Sequence, residues 1–157
     1  MSDTITARPV ELTKENFDET VTGGEGLVLL DFWASWCGPC RRFAPIFDKA
    51  AAKYPDALFG KVDTEAQPEL AAAFEIRSIP TLMLVRDGVI LYAQAGALPE
   101  AALDELITQA RGLDMDEVRR KLAEAKAAEA AEASGDGQSG HSGQAGAQGA
   151  AGDGATA

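Results

Sequence analysis

The chain has 157 residues, 46% of them apolar and 25% charged, which suits one ordinary globular domain and is too short for two comfortable ones. Its formal charge of −11 divides as −7 over residues 1–112, −2 over 113–133 and −2 over 134–157. No segment carries the clustered Lys and Arg that a nucleic-acid surface or an anionic membrane demands, so neither partner is expected.

In chain order, Val10 to Leu12 reads as a short strand, and Thr13 as the N-cap of a helix whose Phe17 and Val21 face the core. Gly23 to Gly26 ends that helix. Leu27 to Trp33 is apolar and β-favouring apart from Asp31, the pattern of a central strand buried on both faces. After Ala34-Ser35-Trp36 comes Cys37-Gly38-Pro39-Cys40, then a helical pattern carried by Phe43, Ile46, Phe47 and Ala50. Pro45 falls inside it, and a kink is expected there because the ring removes a backbone donor.

Leu58 to Val62 is the next strand, and Pro68 to Phe74 a short helix with Pro68 in its first turn. Thr81 to Val85 and Val89 to Ala93 flank Arg86-Asp87-Gly88, a strong hairpin signal. Leu98 to Ala110 is amphipathic and closes the domain. The order βαβαβαββα combines parallel crossovers with one antiparallel hairpin, which predicts an α/β fold with a mixed five-stranded sheet and helices on both faces.

That domain is assigned to 1–112. Residues 113–133, rich in Ala, Lys and Glu with a thin stripe of Met115, Val118, Leu122 and Ala125, read as a solvated helical extension. Residues 134–157 hold eight of the sixteen glycines and no apolar side chain larger than Ala, so a disordered tail is expected there.

Met1 to Val10 contains Asp3 and no signal-like apolar run, and no stretch approaches the roughly 20 apolar residues of a membrane-spanning helix, so a cytoplasmic location is expected. The two cysteines are too few and too close for a secreted disulfide framework. A structural zinc site needs four ligands, and the one His, His141, lies in the Gly-rich tail, so no metal is expected.

A Cys-x-x-Cys at a helix start has a physical logic. Free backbone N–H groups and the positive end of the helix dipole stabilise a thiolate on the first cysteine, which makes Cys37 the expected nucleophile. Cys40 lies nearly one turn on, within bonding reach, and is the expected resolving thiol. Half of a zinc site is the alternative, disfavoured by the missing ligands. Asp31, in the middle of a buried strand, must be partnered or protonated; it is either a base poised near neutral pH or an acid bonded to backbone donors.

Trp36-Cys37-Gly38-Pro39-Cys40 following Val28-Leu29-Leu30-Asp31-Phe32-Trp33 resembles the thioredoxin family. The likeness runs from about Leu12 to Ile107 and takes in Lys61-Val62-Asp63, Ile79-Pro80-Thr81, Asp87-Gly88 and Gly96-Ala97. Phe43-Ala44-Pro45-Ile46-Phe47, Val62-Asp63-Thr64-Glu65-Ala66 and Ile76-Arg77-Ser78-Ile79-Pro80-Thr81 are similar to the bacterial thioredoxin 2 type. That type usually carries a four-cysteine zinc ribbon ahead of the domain, and these 157 residues do not include one.

The resemblance implies a thioredoxin fold and a redox disulfide between Cys37 and Cys40. It implies that Asp31 exchanges the proton of the resolving thiol, that Lys61 approaches and tunes Asp31, and that Gly38 and Pro39 set the redox poise. Trp36 becomes a platform for partners rather than plain packing, while Trp33 is read as core with an edge near the site. Ile79-Pro80 becomes a cis bond whose Ile79 backbone pairs with a substrate strand, rather than a turn proline. Gly96 allows a partner backbone to approach, or is an ordinary strand-end glycine.

The function expected on this footing is that of a monomeric protein-disulfide reductase without bound cofactor. Its implied partners are oxidised client proteins and an NADPH-linked flavoprotein, thioredoxin reductase, that recycles it. A disulfide oxidant or isomerase on the same fold, and a redox-independent binding module, are the alternatives.

Overall fold

The computed structural model describes residues 8–23 and 25–136. Five strands, β1 (Val10–Glu11), β2 (Leu27–Trp33), β3 (Leu58–Asp63), β4 (Thr81–Arg86) and β5 (Val89–Ala95), form one sheet in the order β1-β3-β2-β4-β5. The β1/β3 and β2/β3 pairs are parallel and the β2/β4 and β4/β5 pairs antiparallel, so the sheet is mixed as expected. Asp87 and Gly88 both have positive φ, 50° and 79°, the backbone of a tight turn whose twist matches the two strands it joins.

Side-chain alternation along β2 divides the core in two. Leu27 and Leu29 pack with Phe43, Phe47 and Ala50 of α1 (Gly38–Lys53) and with Leu103 and Ile107 of α3 (Glu100–Gly112). Val28, Leu30 and Phe32 point the other way, onto Phe17, Val21 and Leu70, the last from α2 (Pro68–Ala73). Asp31 shares its parity with Leu27 and Leu29, which aims it at the layer capped by α1.

Three local expectations change. The first strand stops at Glu11, because at Thr13 the chain already turns: its N–H is captured by Asn16 Oδ1 at 2.7 Å and its carbonyl accepts from Phe17 at 2.9 Å. Asn16, not Thr13, therefore supplies the side chain that ties the turn. The helix expected after it is a π-helical segment, Asp18–Thr22, closed by Gly23 N–H donating to Asp18 O at 2.9 Å, yet Phe17 and Val21 are buried as their spacing required. Pro45 lies inside α1, as the sequence indicated.

Arg86, at the end of β4, donates through Nη1 to the carbonyls of Ala110, Arg111 and Leu113 at 2.8, 3.2 and 2.9 Å, satisfying acceptors that the end of α3 leaves open. The chain divides into two compact units, one ending at Met115 and the next beginning at Asp116. α4 (Met115–Asp136) continues past the expected end at 133 and carries Arg119–Asp116 and Lys121–Glu117 ion pairs, each at 3.2 Å. Of the tail assigned to 134–157, residues 137–157 lie outside the described residues. Among the described residues no helix is long and apolar enough to cross a membrane.

Candidate active site

The site begins where β2 ends. Cys37 is the N-cap of α1 with extended backbone, and Pro39 sits in the first turn, where its missing N–H costs nothing. The Cys40 N–H donates to Cys37 Sγ at 3.3 Å, as a capping side chain would accept it. The two sulfurs form a disulfide across a Cα–Cα distance of 5.2 Å, and both residues are almost fully buried. Cys37 Sγ also lies 3.6 Å from the Ile79 carbonyl oxygen. Neither residue between the cysteines is charged, so the stabilisation of a Cys37 thiolate falls to the helix N-terminus.

Asp31 is completely buried, and neither carboxylate oxygen has a hydrogen-bond partner. Burial pushes its carboxyl up to about 7; the positive charge of Lys61 opposes the rise and the negative charge of Asp48 adds to it. Asp31 and Lys61 are register partners across β2 and β3. The Lys61 ammonium sits 4.9 Å from the centroid of the Trp33 ring and makes no hydrogen bond to Asp31.

Two further segments border the disulfide. The Ile79-Pro80 bond is cis, and the Gly96 N–H donates to the Pro80 carbonyl at 2.8 Å. Trp36 is 64% exposed, and its Nε1 donates to Glu65 Oε1 at 2.6 Å. Glu65 is itself held by its N–H donating to Asp63 Oδ1 at 2.9 Å.

The thioredoxin family model matches residues 8–109 of this chain. The chain belongs to the thioredoxin family. It is 68% identical over 118 residues to a Streptomyces coelicolor protein assigned as a thioredoxin 2, covering 75% of this chain and 87% of that one. It is 43% identical to thioredoxin C-3 of Corynebacterium nephridii over 64% of this chain and 70% of that one. With a thioredoxin of Buchnera aphidicola the identity is 38%, over 64% of this chain and 94% of the relative. Thioredoxins are thiol–disulfide oxidoreductases, reduced by thioredoxin reductase and acting on oxidised client proteins, and the Cys37–Cys40 disulfide of this member is the pair such exchange requires.

Of the residues singled out in this thioredoxin's sequence, Ile79 lies against Cys37 and packs with Cys40, Gly96 is bonded to Pro80 beside it, Trp36 precedes Cys37 in the chain, and Asp31 and Lys61 pair across β2 and β3. Sequence reasoning missed Asp48, Glu65 and the contact of Trp33 with Lys61. Asp48 is eight residues after Cys40, about two turns along the same helix face, and that spacing could have flagged it. Nothing local marks Glu65, which reaches Trp36 across 29 residues of sequence.

Proposed function

We propose that this thioredoxin is a protein-disulfide reductase. The Cys37 thiolate attacks one sulfur of a client disulfide, forming a mixed disulfide and releasing the client's other sulfur as a thiolate. Asp31 takes the proton of the Cys40 thiol, the resulting thiolate attacks Cys37 Sγ, and the client's second sulfur leaves. The client gains two electrons and, from solvent, its protons, while Cys37–Cys40 becomes the disulfide. An NADPH-linked flavoprotein, thioredoxin reductase, returns the two electrons.

In this reading Lys61 tunes Asp31, and Gly38 and Pro39 set the potential. Trp36, Ile79, Pro80 and Gly96 receive the client chain. The protein works as a cytoplasmic monomer without bound cofactor or metal, its activity resides in residues 1–112, and 113–133 and 134–157 are appendages.

The observation that carries the reductive direction is the electrostatics of the Cys37 cap. A strong oxidant owes its potential to an unusually stabilised reduced form, and here Gly38 and Pro39 add no cation beside Cys37. The test is the equilibrium potential of Cys37–Cys40 against a glutathione or dithiothreitol buffer. A value near roughly −270 mV, the reference figure for thioredoxin itself, is expected, and one near roughly −120 mV would make the protein an oxidant.

A further inference from the structure

Trp33 and Lys61 meet because of sheet register. Asp31 pairs with Lys61 and Trp33 pairs with Asp63, so Trp33 and Lys61 are diagonal neighbours on the face that Asp31 shares. The Lys61 stem leaves β3 beside Asp31, and its ammonium could turn to solvent; instead it rests over the Trp33 ring, within the range of cation–π attraction. The ring is rooted from two sides. The Trp33 carbonyl accepts from Thr64 N–H at 2.9 Å and Thr64 Oγ1 at 3.1 Å, and the side chain packs on the cluster of Ala34, Cys37 and Cys40. Its buried Nε1 has no acceptor, so packing rather than a hydrogen bond sets the orientation of the ring.

We infer that Trp33 is a positioning residue: its ring holds the Lys61 ammonium beside the buried Asp31, and through that cation governs the pH at which Asp31 exchanges its proton. The inference deepens the proposed function and rests on Asp31 being the proton acceptor. The other charge acting on Asp31 is Asp48, from α1, and its β4 neighbour is the uncharged Leu82. In the oxidised protein Cys37 and Cys40 do not titrate, which leaves Lys61 and Asp48 as the charges acting on Asp31, and of these Trp33 touches Lys61.

Removing the ring has two opposed effects. Releasing Lys61 raises the Asp31 midpoint, whereas water entering the vacated space lowers it. A double-mutant cycle separates them. The Asp31 carboxyl carbon is titrated by NMR in the oxidised full chain, for the unsubstituted protein, Lys61→Met, Trp33→Leu and the double variant. Lys61→Met is expected to raise the midpoint by about one pH unit, as loss of a close opposite charge does. Trp33→Leu should raise the midpoint relative to its effect in the Lys61→Met background, where no ammonium remains to be placed. Trp33→Phe, which keeps a smaller ring, should fall between and serves if the Leu variant does not fold. Equal shifts in both backgrounds, or no shift from Lys61→Met, would overturn the inference. The proton-acceptor reading fails separately, if Asp31→Asn leaves the rate of mixed-disulfide resolution unchanged at every pH.

Discussion

The backbone of Gly96 donates its N–H to the carbonyl of Pro80 at 2.8 Å, fastening the end of β5 to the segment that faces Cys37. Gly96 holds φ at +112°, which side-chain-bearing residues rarely adopt, and a Cβ added there would meet nothing within 4 Å. A substitution would fail through backbone strain rather than crowding. Gly96→Ala, at about 1 kcal/mol of local strain, is expected to raise KM for client reduction about fivefold with the Cys37–Cys40 potential unchanged. Steady-state kinetics beside a redox titration checks this, and a shifted potential would place Gly96 inside the tuning of the thiols.

Asp31 also links stability to pH. Its carboxyl titrates at about 7 when folded against an ordinary 3.8, so between those values the folded protein holds a proton that the unfolded chain has released. Stability is therefore fullest below about pH 4 and falls as pH rises through 7. Asp31→Asn removes that fall. The stability gained by the substitution should be greater at pH 8 than at pH 4 by something on the order of 4 kcal/mol, and any fixed cost of the amide cancels in the difference. Guanidinium unfolding of the oxidised protein at both pH values measures it; a gain independent of pH would show that Asp31 titrates normally.

The two cysteines should fail differently. Cys37→Ser is expected to abolish the protein's acceleration of client-disulfide reduction over dithiothreitol alone, because the chain no longer supplies its attacking thiolate. Cys40→Ser should still attack but not resolve, so a mixed disulfide on Cys37 accumulates and is seen by mass spectrometry under non-reducing conditions. Full cellular function of the doubly substituted chain would favour a redox-independent binding module.

Arg86 gathers three carbonyls at the end of α3 with one guanidinium nitrogen. Arg86→Ala leaves those acceptors to solvent and should lower stability by about 2 kcal/mol, within the range for hydrogen bonds to a charged donor. Arg86→Lys should recover only part of the loss, since its stem is one bond shorter and its ammonium stops short of the position Nη1 holds among the three carbonyls. Urea unfolding midpoints give the answer.

Much of this was legible in the sequence because it is encoded locally. The apolar run of Leu27 to Trp33, the Asp87-Gly88 turn and the position of Cys37 at a helix start each depend on neighbours within a few residues. What escaped depends on register and on competition between contacts. Asn16 takes the Thr13 N–H and reshapes the first helix; Glu65 finds Trp36 through an Asp63 turn; Lys61 rests on Trp33 although Asp31 is its strand partner. No spacing rule separates such outcomes when several partners are within reach of a long side chain.

The disulfide lies within one short stretch, but the groups around it come from β2, β3, the start of β4 and the end of β5. A freshly synthesised or heat-damaged chain thus carries both thiols as ordinary cysteines, without the Ile79 carbonyl against Cys37 or the Trp33 ring packed on the pair. Those arrive only when the distant strands have paired, the slowest class of contact for a chain to make. Exchange at the two sulfurs of an unfinished chain is consequently that of any accessible thiol, and whatever the distant strands add to it comes only with the completed sheet.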